Sequence, residues 1–187
     1  MSRSALLIMD LQNGILAGYS EAQKRGLIER ANTLIADARD KQVPIIFVAV
    51  RQRPGYLGVG DNNKAFSGLK KMGVLIEGSE TAAFHPDLAV TDEDVVVVKR
   101  RFGAASTTDL ASVLNAVDAD HLVMAGVSTS GVVLSTVRWA ADLDYRLTVL
   151  ADACLDHDEE VHRVLTEKVF PVQADVIDSG TWLARNS

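Results

Sequence analysis

Six short apolar runs punctuate this chain, at residues 5–9, 43–50, 95–98, 122–125, 147–150 and 172–177, and each reads as a strand buried on both faces. Strands of that kind belong to parallel sheets covered by helices. The segments between them carry apolar residues at helical spacing. Leu27, Ala31, Leu34, Ile35 and Ala38 form one stripe, and Leu110, Val113, Leu114 and Val117 a second. Val133, Val137, Ala140 and Ala141 form a third, and Val161, Val164, Leu165 and Val169 a fourth. Alternation of strand and helix requires crossover connections. The expected fold is therefore α/β, with three α/β/α layers around a mostly parallel six-stranded sheet of Rossmann-like architecture. At 187 residues, with no repeat or linker, the chain is read as a single domain, 1–187.

Composition narrows the function classes. A net charge of −6 lacks the basic surplus that a nucleic-acid interface needs, so no nucleic-acid partner is expected. No stretch reaches the roughly 18 apolar residues of a membrane helix, so no membrane partner is expected either. The N-terminus reads as a first strand rather than a signal peptide, and the single cysteine, Cys154, cannot form an internal disulfide. A cytoplasmic location is the expectation. Residues 51–78 break the rhythm, being polar, rich in glycine and too long for a simple connection. They read as a loop bordering a site with a short helix at 64–72, because they follow the C-terminal end of a strand, where open α/β sheets place ligands.

Three strand ends carry groups with chemistry. Asp10 closes ALLIMD, where burial would raise its pKa into a range useful for proton transfer; the alternative is a local cap for the following turn. Lys99 ends VVVVK and is either a solvated charge beside Arg100 and Arg101 or, if close to Asp10, its electrostatic partner. AGVSTSGVV, residues 125–133, joins a buried strand to a helix, and such a turn presents backbone N–H groups that can hold an oxyanion. It lacks the ending of a Walker phosphate loop.

Together these segments resemble the isochorismatase-like, or cysteine hydrolase, family. LLIMDLQNG, FHPDLAVTDEDVVVVKRRFGAASTTDL, AGVSTSGVV and LADACLDHDEEVH match it in order along nearly the whole chain. The resemblance implies a hydrolase of a small molecule, assembled as a homo-oligomer, with a catalytic triad of Asp, Lys and Cys. By resemblance Asp10 is the general acid or base and Lys99 its electrostatic partner. Val127, Ser128 and Val132 belong to the oxyanion turn, with a non-proline cis peptide between Val127 and Ser128.

One position departs from the pattern. Val132 stands where the family has its nucleophilic cysteine, and valine has neither a nucleophile nor a titrating proton. Cys154 lies at a different strand end and reads as a buried structural thiol. Ser128, Thr129 and Ser130 are read as turn-forming, oxyanion-hole and capping residues. His85, His121, His157 and His162 are scattered, and no histidine occurs in 51–78, so neither a metal nor another cofactor is expected. Tyr56, Phe66 and Phe102 are expected to shape the pocket, and Arg51, Arg53, Arg100 and Arg101 are the cations available to an acidic substrate.

Three functional readings remain. The first is a thiol-independent hydrolase; isochorismatases, which resemble this fold and lack the cysteine, set the precedent, although they carry glycine where Val132 stands. The second is a catalytically silent member that binds a ligand or serves as an oligomer subunit. The third is a cysteine amidohydrolase inactivated by substitution at Val132.

Overall fold

In the computed structural model, which describes residues 3–185, the first half of the chain runs β1 (Ser4–Met9), α1 (Asn13–Leu16), α2 (Glu21–Asp40), β2 (Ile45–Val50), α3 (Lys64–Met72) and β3 (Val95–Lys99). The second half runs α4 (Leu110–Ala116), β4 (His121–Val127), α5 (Leu134–Ala141), β5 (Arg146–Leu155), α6 (Glu159–Val164), β6 (Asp175–Ile177) and α7 (Ser179–Arg185). All strand pairs are parallel and the order is β3-β2-β1-β4-β5-β6. The order reverses between β1 and β4, the switch point at which doubly wound sheets bind ligands.

Two cores sandwich the sheet. Ala5, Leu7 and Met9 of β1 face a cluster with Leu110 and Leu114 of α4 and Val137 and Ala140 of α5. Leu6 and Ile8 face the opposite cluster, which holds the full α2 stripe from Leu27 to Ala38 and the partly buried Trp182 of α7. The long α2 is started by a capping box, in which Ser20 and Gln23 satisfy each other's backbone N–H groups.

Several expected runs change length or exposure. Of the strands only β4 is buried throughout; β3 and β6 are edges, with Val95 exposed. β6 begins only at Asp175 because Phe170–Val172 forms a 3-10 turn around Pro171, which cannot donate to a strand ladder. β5 extends to Leu155 through an irregularity opposite Met124 and Gly126. There Asp152 leaves the apolar pattern to accept the Ser179 N–H and hydroxyl at 2.7 and 2.6 Å, capping α7. The fourth helical stripe buries only Leu165, while Val161 and Val164 remain exposed. A π turn at Leu165–Val169 follows α6, and its extra residue puts the faces on either side out of phase.

The 51–78 segment contains α3 at the expected residues and encloses a small core of its own, in which Tyr56, Val59, Phe66 and Leu75 pack on Val50. Asn63 caps the start of α3 through the Phe66 N–H, and Gly73 ends it in the left-handed conformation.

Candidate active site

The ends of β1, β3 and β4 converge on one cavity. Asp10 leaves β1 with φ 60°, a left-handed conformation that a short Asp side chain tolerates better than most. The chain turns off the sheet there, and the Gln12 N–H donates to the Asp10 carbonyl at 2.8 Å. The Asp10 carboxylate does not cap that turn. Its Oδ2 lies 2.7 Å from Lys99 Nζ, which reaches across the end of β2, and the two side chains are almost fully buried. Lys99 Nζ also donates to the Arg101 carbonyl at 3.0 Å. The other carboxylate oxygen, Oδ1, is buried without a hydrogen-bond partner. Burial raises the Asp10 pKa and outweighs the opposing charge and hydrogen bond of Lys99 and the weaker pull of the Val50 backbone N–H, whose own hydrogen bond goes to Gln12 Oε1 instead.

β4 supplies the third element. Gly126 has φ +151° and lies so close to β1 that a Cβ would stand 2.3 Å from the Met9 carbonyl oxygen. The Val127–Ser128 peptide is cis, and a π turn at Thr129–Val133 leads into α5. At Gly131 a Cβ would meet Ser128 Oγ at 2.6 Å, so a larger residue there would force the Ser128 side chain to turn away. The turn is held from outside: Asp156 accepts the Ser130 N–H at 2.7 Å, and Thr129 Oγ1 lies 2.8 Å from His162 Nδ1. Burial lowers the His162 pKa, favouring its neutral form. No side-chain hydrogen bond from Ser128 caps the turn, which corrects the capping role expected of it.

The resulting cavity, of about 260 Å³, is lined by Asp10, Lys99, Val127, Ser128 and Val132. Val132 is 2% exposed and packs into the core on its far side. Phe66, Leu69 and Met72 of α3 form the opposite wall, and Phe102 stands edge-on to Phe66 at the rim. The 51–78 segment thus borders the site. Tyr56 does not reach it; its hydroxyl donates to the Val74 carbonyl inside the small core. Arg53, Arg100 and Arg101 line a different cavity. Cys154 is buried opposite Gly126, and desolvation pushes its thiol up to about 12, which keeps it protonated and inert.

Two site residues carried no role in the sequence. Gln12 is fully buried, and its amide donates to the Val50 and Ala82 carbonyls while accepting the Val50 N–H, so it ties the ends of β1 and β2 together. Its place two residues after Asp10, in the LLIMDLQNG segment, was the signal. His157 lines the cavity and stacks on Tyr19 with ring centroids 4.3 Å apart. Its place just after β5, at the same end of the sheet, was the clue. His85 and His121 lie elsewhere, His121 at the opposite end of the sheet between Ser4 and Thr148. Among the described residues no group of three or more His, Cys, Asp or Glu side chains could hold a metal ion, and no helix is long and apolar enough to cross a membrane.

A doubly wound parallel sheet with a buried carboxylate–lysine pair at its switch point and a helix-start turn facing them defines a class of small α/β hydrolase. The isochorismatase domain model matches residues 4–181, and the chain belongs to the isochorismatase family of hydrolases. It is 31% identical over 171 residues to the isochorismatase family protein YwoC of Bacillus subtilis, covering 90% of this chain and 86% of YwoC. It is 29% identical over 164 residues to a probable inactive nicotinamidase of Arabidopsis thaliana, covering 85% and 84% of the two chains. The structure of an isochorismatase family protein from Burkholderia thailandensis superposes with a TM-score of 0.83 at 27% identity, covering 97% and 94%.

Proposed function

We propose that this chain hydrolyses a small molecule without a thiol, using Asp10 as general acid and base and Lys99 as its electrostatic partner. The observation that carries the reading is the buried, unpartnered Asp10 Oδ1 beside the cavity while Oδ2 is held by Lys99. A buried acceptor without a donor is costly in a resting protein, and a substrate or water O–H or N–H would satisfy it. In the reaction Asp10 takes a proton from the attacking water as its oxygen bonds to the substrate. It then returns the proton to the leaving group as that bond breaks. Backbone N–H groups of the 127–132 turn stabilise the oxyanion. The raised pKa of Asp10 favours the proton-donating half of this cycle.

The lining also bears on the substrate. Lys99 is the lining cation and is already paired, while most other lining side chains are apolar. Such a pocket favours an uncharged substrate over a dicarboxylate. The expected homo-oligomer is part of the same proposal, tested by light scattering on the purified chain; a monomer would remove it.

The test is hydrolysis by the purified protein on a panel of isochorismate and small amides, read by mass spectrometry, with Asp10→Asn beside it. Turnover that vanishes in the variant supports the reading. Turnover that persists in a folded Asp10→Asn variant removes Asp10 from the mechanism. A silent, ligand-binding protein is the second reading, favoured by the buried Val132 at the position that the resemblance assigns to the nucleophile and by similarity to a relative named as a probable inactive nicotinamidase. Silence of both proteins across the panel would select it.

A further inference from the structure

The arginines that do not serve the candidate active site gather elsewhere. Arg53, Arg100 and Arg101 line a cavity of about 400 Å³ beside the β3 edge, together with Gln52 and Thr107. None of its lining residues is acidic. Glu77 pairs with Arg100 at 3.3 Å and is half-exposed. Three guanidinium groups around one concave space repel each other, and this chain carries a net charge of −6. An anion bound among them would relieve that repulsion.

The cavity is organised in advance. Arg100 donates to the Arg51 carbonyl, and Arg101 donates to the Arg100 and Gly58 carbonyls at 2.7 Å each. Each guanidinium has five N–H donors, so fixing one or two leaves others for a ligand at reduced entropic cost. The Gln52 side chain is 1% exposed and holds only a long 3.3 Å bond to the Arg100 carbonyl. Among the described residues no ion pair engages Arg53, whose side chain is left to swing onto a ligand.

Arg101 also touches the candidate active site twice. Its carbonyl accepts the hydrogen bond from Lys99 Nζ, and its guanidinium lies over the Phe66 ring, 5.5 Å from the centroid. Phe66 is a wall of that site. We propose that the arginine-lined cavity binds a small multivalent oxyanion, a phosphate ester or a polycarboxylate, and that Arg101 transmits its occupancy to Lys99 and Phe66. The binding half of this proposal does not depend on the hydrolase reading.

Titration calorimetry on the intact chain tests it, with sodium pyrophosphate and sodium citrate as probes and sodium chloride at matched ionic strength as control. Saturable binding of one equivalent is expected, weakened about tenfold or more in Arg53→Ala. The preferred probe assigns the ligand to the phosphate or the carboxylate class. Absence of saturable binding overturns the site, and so does equal affinity in folded Arg53→Ala. Coupling is read from amide NMR spectra at saturation. Shifts at Lys99, Arg101 and Phe66, with His121 unmoved, support it; unmoved Lys99 and Phe66 resonances overturn the coupling, whatever the enzyme assay shows.

Discussion

Replacing Lys99 with Met isolates the electrostatics of the site. Methionine has a similar length and volume, so the change removes a charge from a buried position without leaving a large cavity. Asp10, almost fully buried and with Oδ1 already unpartnered, would lose its counter-ion. It can then stay ionised and desolvated, a state that costs about 3–5 kcal/mol when a buried pair is broken. Or it can take up a proton. The unfolded carboxyl titrates near about 3.9, so holding the proton at pH 7 costs about 1.4 kcal/mol for each of about three pH units, or roughly 4 kcal/mol. Protonation therefore limits the charge-related part of the loss to about 4 kcal/mol. Because burial already raises the Asp10 pKa in the wild type, part of that cost is present there. The expected loss is thus about 2–4 kcal/mol, or a fall in Tm of roughly 5–15 °C. The sign follows from proton counts: with the folded pKa raised, the native variant binds more protons than the unfolded chain above about pH 4. Lys99→Met should therefore recover stability, relative to wild type, as pH falls from about 7 to about 4. Urea unfolding across that range measures it, and Asp10→Asn/Lys99→Met should remove the pH dependence. A loss below about 1 kcal/mol with a flat pH profile would refute the buried pair as the organising element of the site.

The other variants probe separate features of the site and the fold. Val132→Cys places a thiol at the start of a helical turn, where N–H groups lower thiol pKa, and should create amide hydrolysis; a folded variant inert on the amide panel would mean the surrounding cavity has diverged as well. Gly126→Ala should cost about 3 kcal/mol or more in urea unfolding, since its Cβ would stand 2.3 Å from the Met9 oxygen at φ +151°; wild-type stability would contradict the close approach of β1 and β4. His121 should titrate at about 4 in its NMR spectrum, below its ordinary 6.5, chiefly because of burial. The unfolded chain then binds the extra proton, so this residue's contribution to stability is lost as pH falls from about 6.5 to about 4. A midpoint near 6.5 would place the ring in solvent.

The sheet was legible because β1, β2, β4 and the start of β5 are apolar without alternation, a pattern that a half-exposed strand does not sustain. The pattern failed where local chemistry intervened. Pro171 cut β6 short, Asp152 hid the second half of β5, and the π turn after α6 rotated Val161 and Val164 into solvent. Asp10 and Lys99 were recognisable as strand-end charges, but periodicity carries no information about contact between strands separated by a third. Only the sheet order, with β2 between β1 and β3, brings Lys99 to Asp10. The same gap in information concealed His157 and misplaced Tyr56. Residues on loops are positioned by the elements beneath them, and one-dimensional spacing does not encode that.

The buried pairing of Asp10 with Lys99 beside Val132 has two physical explanations, and they differ in what they predict for Oδ1. Val132 packs into the α4–α5 core, so an exchange there between small apolar side chains is a change of packing rather than of charge. The pair cannot drift in the same way, because losing either partner strands the other as a buried charge. Stability alone would therefore disfavour the loss of either Asp10 or Lys99, whatever side chain occupies position 132. A pair kept only for that reason gains by satisfying every remaining lone pair, since each unmet acceptor adds a desolvation cost. Here Oδ2 is held by Lys99, while Oδ1 is buried without a hydrogen-bond partner on a residue that lines the cavity. Catalysis by the carboxylate, as proposed above, requires a donor to reach Oδ1, whereas a purely structural ion pair would satisfy that oxygen from within the protein.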